Sequence, residues 1–188
     1  LGFGWRSWIQ YRRTGSTGFR GPRRPPRFTG WVAGAGFLAA IIVGLVAPVL
    51  QLFGVVCPIE LLHTQLIQAS GIFLAVVGVV ATFFAQREMG ASWRIGVDPS
   101  ETTTLVRDGV FAIVRNPIFS AMLIFAAGIT LMAPNPLAVA GFLLLFTAIE
   151  LQVRRVEEPY LLDTHGDAYR TYTNSVGRFL PGIGRTVR

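Results

Sequence analysis

Glu150, Arg154, Glu157 and Glu158 stand at the end of a long apolar run, and their types and spacing can do chemistry. On a helix, Arg154 lies four residues from Glu150 on one side and three and four from Glu157 and Glu158 on the other, so it can neutralise a carboxylate in either direction. The carboxylates of such a group can hold hydroxyl or amino groups of a cofactor while an arginine, Arg154 or the adjacent Arg155, orients an anionic substrate. A salt-bridged helix end without catalytic meaning is the plainer reading of the same residues, and spacing alone leaves both open. Counted from Pro136 at about 1.5 Å per residue, Glu150 lies roughly 20 Å along its helix, inside the cytoplasmic third of a bilayer. A charge at the bilayer centre costs about 2.5–3.5 kcal/mol, so Glu150 is expected to face protein or water rather than lipid.

A second group runs from Gly109 to Phe119 and contains Arg115-Asn116-Pro117-Ile118. Pro117 removes a backbone donor and biases Asn116 away from helical geometry, which leaves the Asn116 side chain and its neighbouring backbone free to bind. Read by itself, this is also an ordinary helix start. The tail supplies a third group: Glu158-Pro159-Tyr160, His165-Gly166, Tyr169, Tyr172, then Val176-Gly177-Arg178-Phe179-Leu180-Pro181. It reads as an amphipathic surface helix closed by a turn, with tyrosines at interfacial spacing. No metal site is expected, since His63 and His165 are predicted on opposite sides of a membrane and Cys57 is the single cysteine. Neither a Gly-rich phosphate loop nor a serine-nucleophile motif is present.

The elements that must position these groups are membrane helices. Of 188 residues, 52% are hydrophobic and 14% charged, and the apolar residues gather into runs too long for a soluble domain of this size. Four spans are predicted, at about 31–53, 66–85, 118–133 and 137–153, the last two slightly short and joined by Pro134-Asn135-Pro136 as an antiparallel hairpin. Gly36, Ala40 and Gly44 in the first span, and Gly71, Ala75 and Gly78 in the second, are expected to form close-packing faces. The fold class is therefore all-α: a single polytopic helical bundle over 30–188, ending in a cytoplasmic segment, 154–188.

The formal charge is +7, and every basic residue is arginine. Residues 1–29 form a basic arm, with Arg6, Arg12, Arg13, Arg20, Arg23, Arg24 and Arg27 and no acidic residue before Glu60. Its charge suits nucleic acid as well as anionic lipid, but an apolar span follows directly, so membrane lipid is the expected partner and nucleic acid is not. Under a four-span count the arm, the tail, and the loops holding Arg87, Arg94, Arg107 and Arg115 all fall on one side, while the opposite loops hold no arginine. The positive-inside rule then predicts an integral membrane protein with both termini cytoplasmic.

In order, these groups resemble the isoprenylcysteine carboxyl methyltransferase and phospholipid methyltransferase superfamily of integral membrane enzymes. The resemblance runs from about Gly71 to Pro181. It is carried by Gly109, Phe111, Arg115-Asn116-Pro117, Phe119, the Pro134 to Pro136 hairpin, Arg154, Glu157-Glu158, Gly166, Tyr169, Tyr172 and Pro181. Two departures stand out: the family's histidine is Asn116 here, and its following tyrosine is Phe119. Asparagine can donate and accept a hydrogen bond but cannot titrate near neutrality. Any role of that histidine as a proton acceptor is thus absent, whereas a role in holding the cofactor is one that Asn116 can take.

The resemblance implies S-adenosylmethionine as cofactor, contacted by Arg115, Asn116, Pro117, Ile118, Phe119, Glu157, Glu158 and Tyr169. It implies an arginine on the substrate, Arg154 with Arg155 as the reserve; with Glu150, read from its place in the span, Arg154 is the expected catalytic residue. The expected substrate is a lipophilic small molecule or prenylated acceptor, with carboxyl methylation favoured. A carboxylate acceptor needs no general base, whereas an amine or thiol would need one, for which Glu150 or Glu157 is placed. Two alternatives keep the same spans: an NADPH-dependent membrane reductase of the sterol-reductase type, and a non-catalytic membrane anchor or assembly subunit.

Overall fold

The computed structural model describes residues 12, 28–89 and 105–186. Most of the expected basic arm, and the polar stretch that holds Trp93, Arg94, Asp98 and Pro99, lie outside the described residues. Four apolar helices form the body: α1 (Phe28–Leu52), α2 (Gln65–Glu88), α3 (Pro117–Met132) and α4 (Pro136–Gln152). They coincide with the predicted spans to within three residues at either end. Among the described residues every regular element is helical, and the architecture is that of a polytopic membrane bundle. α1, α2 and the continuous rod that starts with α4 are long and apolar enough to cross a bilayer. α3, at 16 residues, covers only about 24 Å.

The helix ends follow from local chemistry. Thr64 caps α2 by accepting from Ile67 N at 3.4 Å. α3 and α4 both begin on a proline, whose missing N–H costs nothing in a first turn. Asn135, fully buried in the hairpin turn, accepts from Ala138 N at 2.8 Å through Oδ1. Its Nδ2 donates to the Ala47 carbonyl at 3.2 Å and Gln51 Oε1 at 2.9 Å, so one side chain caps α4 and fastens α1 to it. Ile59 N donates to Pro134 O at 2.7 Å. The α1–α2 connection and the hairpin turn thus share one end of the bundle, and among the described residues Arg87, Arg115 and Arg154 stand at the other.

In cross-section the helices run α1, α4, α3, α2: α1 packs along α4 and α2 along α3, while α3 and α4 touch each other far less. The α2–α3 seam is built as the sequence predicts. A side-chain carbon on Gly78 would sit 2.6 Å from Phe125 N, one on Gly71 2.8 Å from Gly128 O, and one on Gly128 2.5 Å from Ala75 N. Only glycine admits backbones so close. The α1 face is shifted from the expected one. Ala33, Ala40 and Ala47 are its buried residues, whereas a carbon on Gly36 would meet Ala148 Cβ at an ordinary 3.5 Å and one on Gly44 would meet nothing within 4 Å. The tight point is on the partner helix, where a carbon on Gly141 would approach Val43 Cγ1 to 2.7 Å.

α4 does not stop at the bilayer border. It continues through a π-helical turn, Val153–Glu157, into α5 (Glu158–His165), so Pro136–His165 is one 30-residue rod. Pro159 has no N–H to offer Arg155 O and would clash with it, and the helix widens in response, with Glu158 N reaching back to Val153 O. Where one surface helix is expected, there are two: Gly166, at φ +53°, breaks the chain between α5 and α6 (Asp167–Ser175).

Candidate active site

Arg115, one residue before the asparagine that precedes α3, organises the border region. Its side chain is 1% exposed, and its two terminal nitrogens reach four acceptors. Nη1 donates to Thr173 O at 3.1 Å and Val176 O at 2.5 Å. Nη2 donates to Gly184 O at 3.1 Å and Glu158 Oε1 at 2.9 Å. A planar, permanently charged guanidinium suits this task, because it collects carbonyls from three turns of chain and a carboxylate in one plane. Arg178 holds the same glutamate as a fork, Nε to Oε1 at 2.8 Å and Nη2 to Oε2 at 2.9 Å. Two cations thus meet one anion, and the cluster carries an excess positive charge. The bond to Glu158 also holds the Arg178 guanidinium above its ordinary pKa.

The chain between α6 and Thr186 is laid across the start of α3 by backbone bonds. Arg115 N donates to Gly177 O at 2.8 Å, Asn116 N to Arg178 O at 3.1 Å and Ser120 Oγ to Phe179 O at 2.7 Å. Asn116 Nδ2 donates to the same Arg178 carbonyl at 3.2 Å. Gly177 is required here, since a side-chain carbon would collide with Leu180 O and come within 2.8 Å of Ile183 O. On the far side Tyr172 OH donates to Phe111 O at 2.5 Å. Burial pushes the Tyr172 phenol up to about 12 and that of Tyr169 higher still, so both are neutral hydroxyls at physiological pH. The preceding 3-10 turn, Gly109–Ala112, is in turn held by Glu88 at the end of α2, whose Oε2 accepts from Val110 N at 2.6 Å.

Beside Glu158 a cleft of about 560 Å³ opens between α5, α6 and the end of the α4 rod. Arg154, Glu158, Tyr169, Arg170, Thr173 and Asn174 are among its lining. The structure therefore brings together three of the predicted residues, Arg154, Glu158 and Tyr169, with Arg115 directly behind Glu158. It does not bring the others into the cleft. Pro117 is buried, Phe119 packs against the Ala40, Leu145, Ile149 and Val153 core, Ile118 is half-buried, and Asn116 is engaged with the tail. Glu157 carries one bond, from Gln152 Nε2 at 3.4 Å. Arg154 pairs with Glu150 by a short contact and not with Glu157 or Glu158, because the π turn rotates the last two away. Arg155 is exposed and, among the described residues, has no bonded partner.

Spacing did not single out Arg178, Ser120, Arg170, Thr173 or Asn174. Arg178 carried the one available signal, as the lone cation between Gly177 and Phe179, but nothing local says that it folds back 20 residues to Glu158.

The helical membrane bundle and its polar border cluster define the class; comparison of the chain with known proteins defines the family. The family model described as phospholipid methyltransferase matches residues 66–168, and the chain belongs to that family. It is 29% identical over 124 residues, 65% of this chain and 52% of the relative, to the protein-S-isoprenylcysteine O-methyltransferase of Saccharomyces cerevisiae. It is 28% identical over 126 residues, 66% of each chain, to a probable protein-S-isoprenylcysteine O-methyltransferase of Oryza sativa subsp. indica. The Schizosaccharomyces pombe protein-S-isoprenylcysteine O-methyltransferase is 33% identical over 79 residues, 42% of this chain and 34% of the relative. The chain thus spans about half to two thirds of the length of the first two relatives. No solved structure matches it.

Proposed function

We propose that the protein is an S-adenosylmethionine-dependent methyltransferase that methylates the carboxylate of an isoprenylcysteine-like or isoprenoid acid at the cytoplasmic membrane face. One observation carries the reading: Glu158 of the paired glutamates is joined to Arg115 at the start of α3, 2.9 Å away, and lines a cleft of about 560 Å³. That volume lies within the roughly 300–1,000 Å³ range of small-molecule pockets. The lining fits the cofactor, since two carboxylates, two arginines and several hydroxyls match a molecule that bears an amine, a carboxylate and ribose hydroxyls. Glu158 accepts three bonds, two on Oε1 and one on Oε2, which leaves acceptor capacity on Oε2.

When bound there, the cofactor supplies an electrophilic methyl group. The work left to this chain is positioning. Glu158 and Tyr169 hold the polar end, Arg115 and Arg178 fix Glu158 in one rotamer, and Arg154, on the rim and 56% exposed, draws an anionic acceptor towards the border by long-range attraction. Alignment of the reacting atoms is worth about 7–11 kcal/mol, and an already ionised acceptor asks for no base. The arginines gathered at one end of the bundle support that end, with both termini, as cytoplasmic.

The test is incubation of the purified chain in lipid with methyl-labelled S-adenosylmethionine and, in parallel, a prenylcysteine acid, a phospholipid amine, an isoprenoid acid and a thiol. Label is expected in a base-labile methyl ester of an acid. Label in an amine or thiol would move the reaction class, and binding of NADPH with no affinity for S-adenosylmethionine would end the reading. Glu158→Ala is expected to abolish cofactor binding.

A further inference from the structure

Gln86, near the end of α2, is 4% exposed, and its Nε2 amide has no hydrogen-bond partner. A buried amide donor left unpaired costs about 1–3 kcal/mol, and such groups in native proteins call for an explanation. Gln86 continues the stripe of Gly71, Ala75, Gly78 and Ala85, the buried face that α2 turns to α3. The register of that seam fixes what lies opposite. Gly78 sits against Phe125 in an antiparallel pair; eight residues on from Gly78 is Gln86, and eight back from Phe125 is Pro117. Glu88, two residues further, reaches Val110, which keeps the same sense. Gln86 therefore stands level with Pro117, the first residue of α3, which follows Arg115 and Asn116 in the chain.

Three further observations concern the start of α3 and the residues that precede it. Arg115 Nε is also buried and unpartnered, although both terminal nitrogens of the same guanidinium are fully engaged. The 16-residue α3 presents the positive end of its dipole there. The cluster of Arg115, Glu158 and Arg178 holds two cations for one anion. Donors without acceptors, at a helix N-terminus, beside an excess positive charge, describe a seat for an oxyanion. We propose that Gln86 is a specificity-determining residue, donating through Nε2 to a carboxylate oxygen of the lipid acceptor held between α2 and the start of α3. This inference rests on the methyltransferase reading for the identity of its ligand. It also divides the labour: the cleft between α5 and α6 takes the water-soluble cofactor, and the α2–α3 mouth takes the acceptor's charged end. Once the carboxylate is esterified its charge is gone, so the same seat favours release of product.

The experiment measures direct binding to the purified full chain in lipid nanodiscs of an S-farnesylated N-acetylcysteine, as the free acid and as its methyl ester. The wild type is expected to bind the acid about tenfold or more tightly than the ester, the scale of a hydrogen bond to a charged group. Gln86→Leu is expected to bring that ratio near one, while the affinities for the ester and for S-adenosylmethionine stay within twofold of wild type. Its thermal midpoint should be equal or higher, because an unpaired donor has been removed. Gln86→Glu, which keeps the size but adds a repelling charge, should reject the acid and retain the ester. Equal binding of acid and ester by the wild type, an acid preference that survives both variants, or cofactor affinity that falls with acid affinity would each overturn the assignment. A wild type that discriminates acid from ester yet transfers no methyl group would sink the enzymatic reading and leave this one standing.

Discussion

The α2–α3 seam and the junction between α3 and the tail use the same helix in opposite ways. Along the seam, contact is made by absence: at Gly71, Gly78 and Gly128 the backbones meet directly because no side chain stands there. At the junction, contact is made by donors, with Arg115, Asn116 and Ser120 meeting carbonyls of Thr173, Val176, Arg178, Phe179 and Gly184. The difference teaches where the solvent changes. Within hydrocarbon there is no hydrophobic drive between helices, so close packing must supply the association. At the border, water competes for polar groups, and only a network that satisfies nearly all of them holds a strap of irregular chain in place.

Four substitutions break or sharpen that comparison. The largest effect is expected from Gly128→Leu, where a side chain must enter space already occupied by Ala75 and Gly71 backbone. It should cost about 3 kcal/mol or more and part the two helices. Thermal unfolding in detergent would show it, and an unchanged midpoint would mean the seam is not close-packed. Arg115→Met should come next, at about 2–3 kcal/mol, since three carbonyls lose their donor while Glu158 keeps Arg178. Limited proteolysis should then cut the chain between Ser175 and Thr186, and a protected tail would contradict the strap.

Tyr172→Phe removes a single bond, to Phe111 O, and should cost about 1 kcal/mol. Its pH signature is more telling. The folded phenol is raised from 10.0 to about 12 by burial, so its stabilisation is complete below pH 10 and is lost as pH rises through 12. The wild type should show that alkaline loss and the variant should lack it; parallel pH profiles would dispose of the bond. The smallest effect belongs to Gly36→Ala, within about 0.5 kcal/mol, because the added carbon meets Ala148 Cβ at 3.5 Å. Were it as damaging as Gly128→Leu, glycine content and not close approach would govern the packing.

The run lengths of apolar residues determined the four helices and the hairpin, because about twenty such residues are needed to cross hydrocarbon and prolines mark where a helix cannot continue. The same logic located Gly71, Ala75 and Gly78, since small residues at helical spacing have few other uses in a span. Local spacing also placed Glu150 and Arg154 together, four residues apart on one continuous helix. It failed one turn later, where Pro159 opened a π turn and rotated Glu157 and Glu158 off that face.

Tertiary structure alone decided the rest. Glu158 and Arg115 stand 43 residues apart in the chain, and Glu158 and Arg178 stand 20 apart; no periodicity reports that they share a bond. Nor could the helical pattern of α1 say that Ala33, Ala40 and Ala47 would face α4 in place of the glycine stripe. A helix in lipid is apolar on every side, so its sequence announces that it crosses without announcing which side it turns inward. That choice belongs to the partners, and it is the partners' geometry that leaves Gln86 buried, level with the start of α3, with a donor still to give.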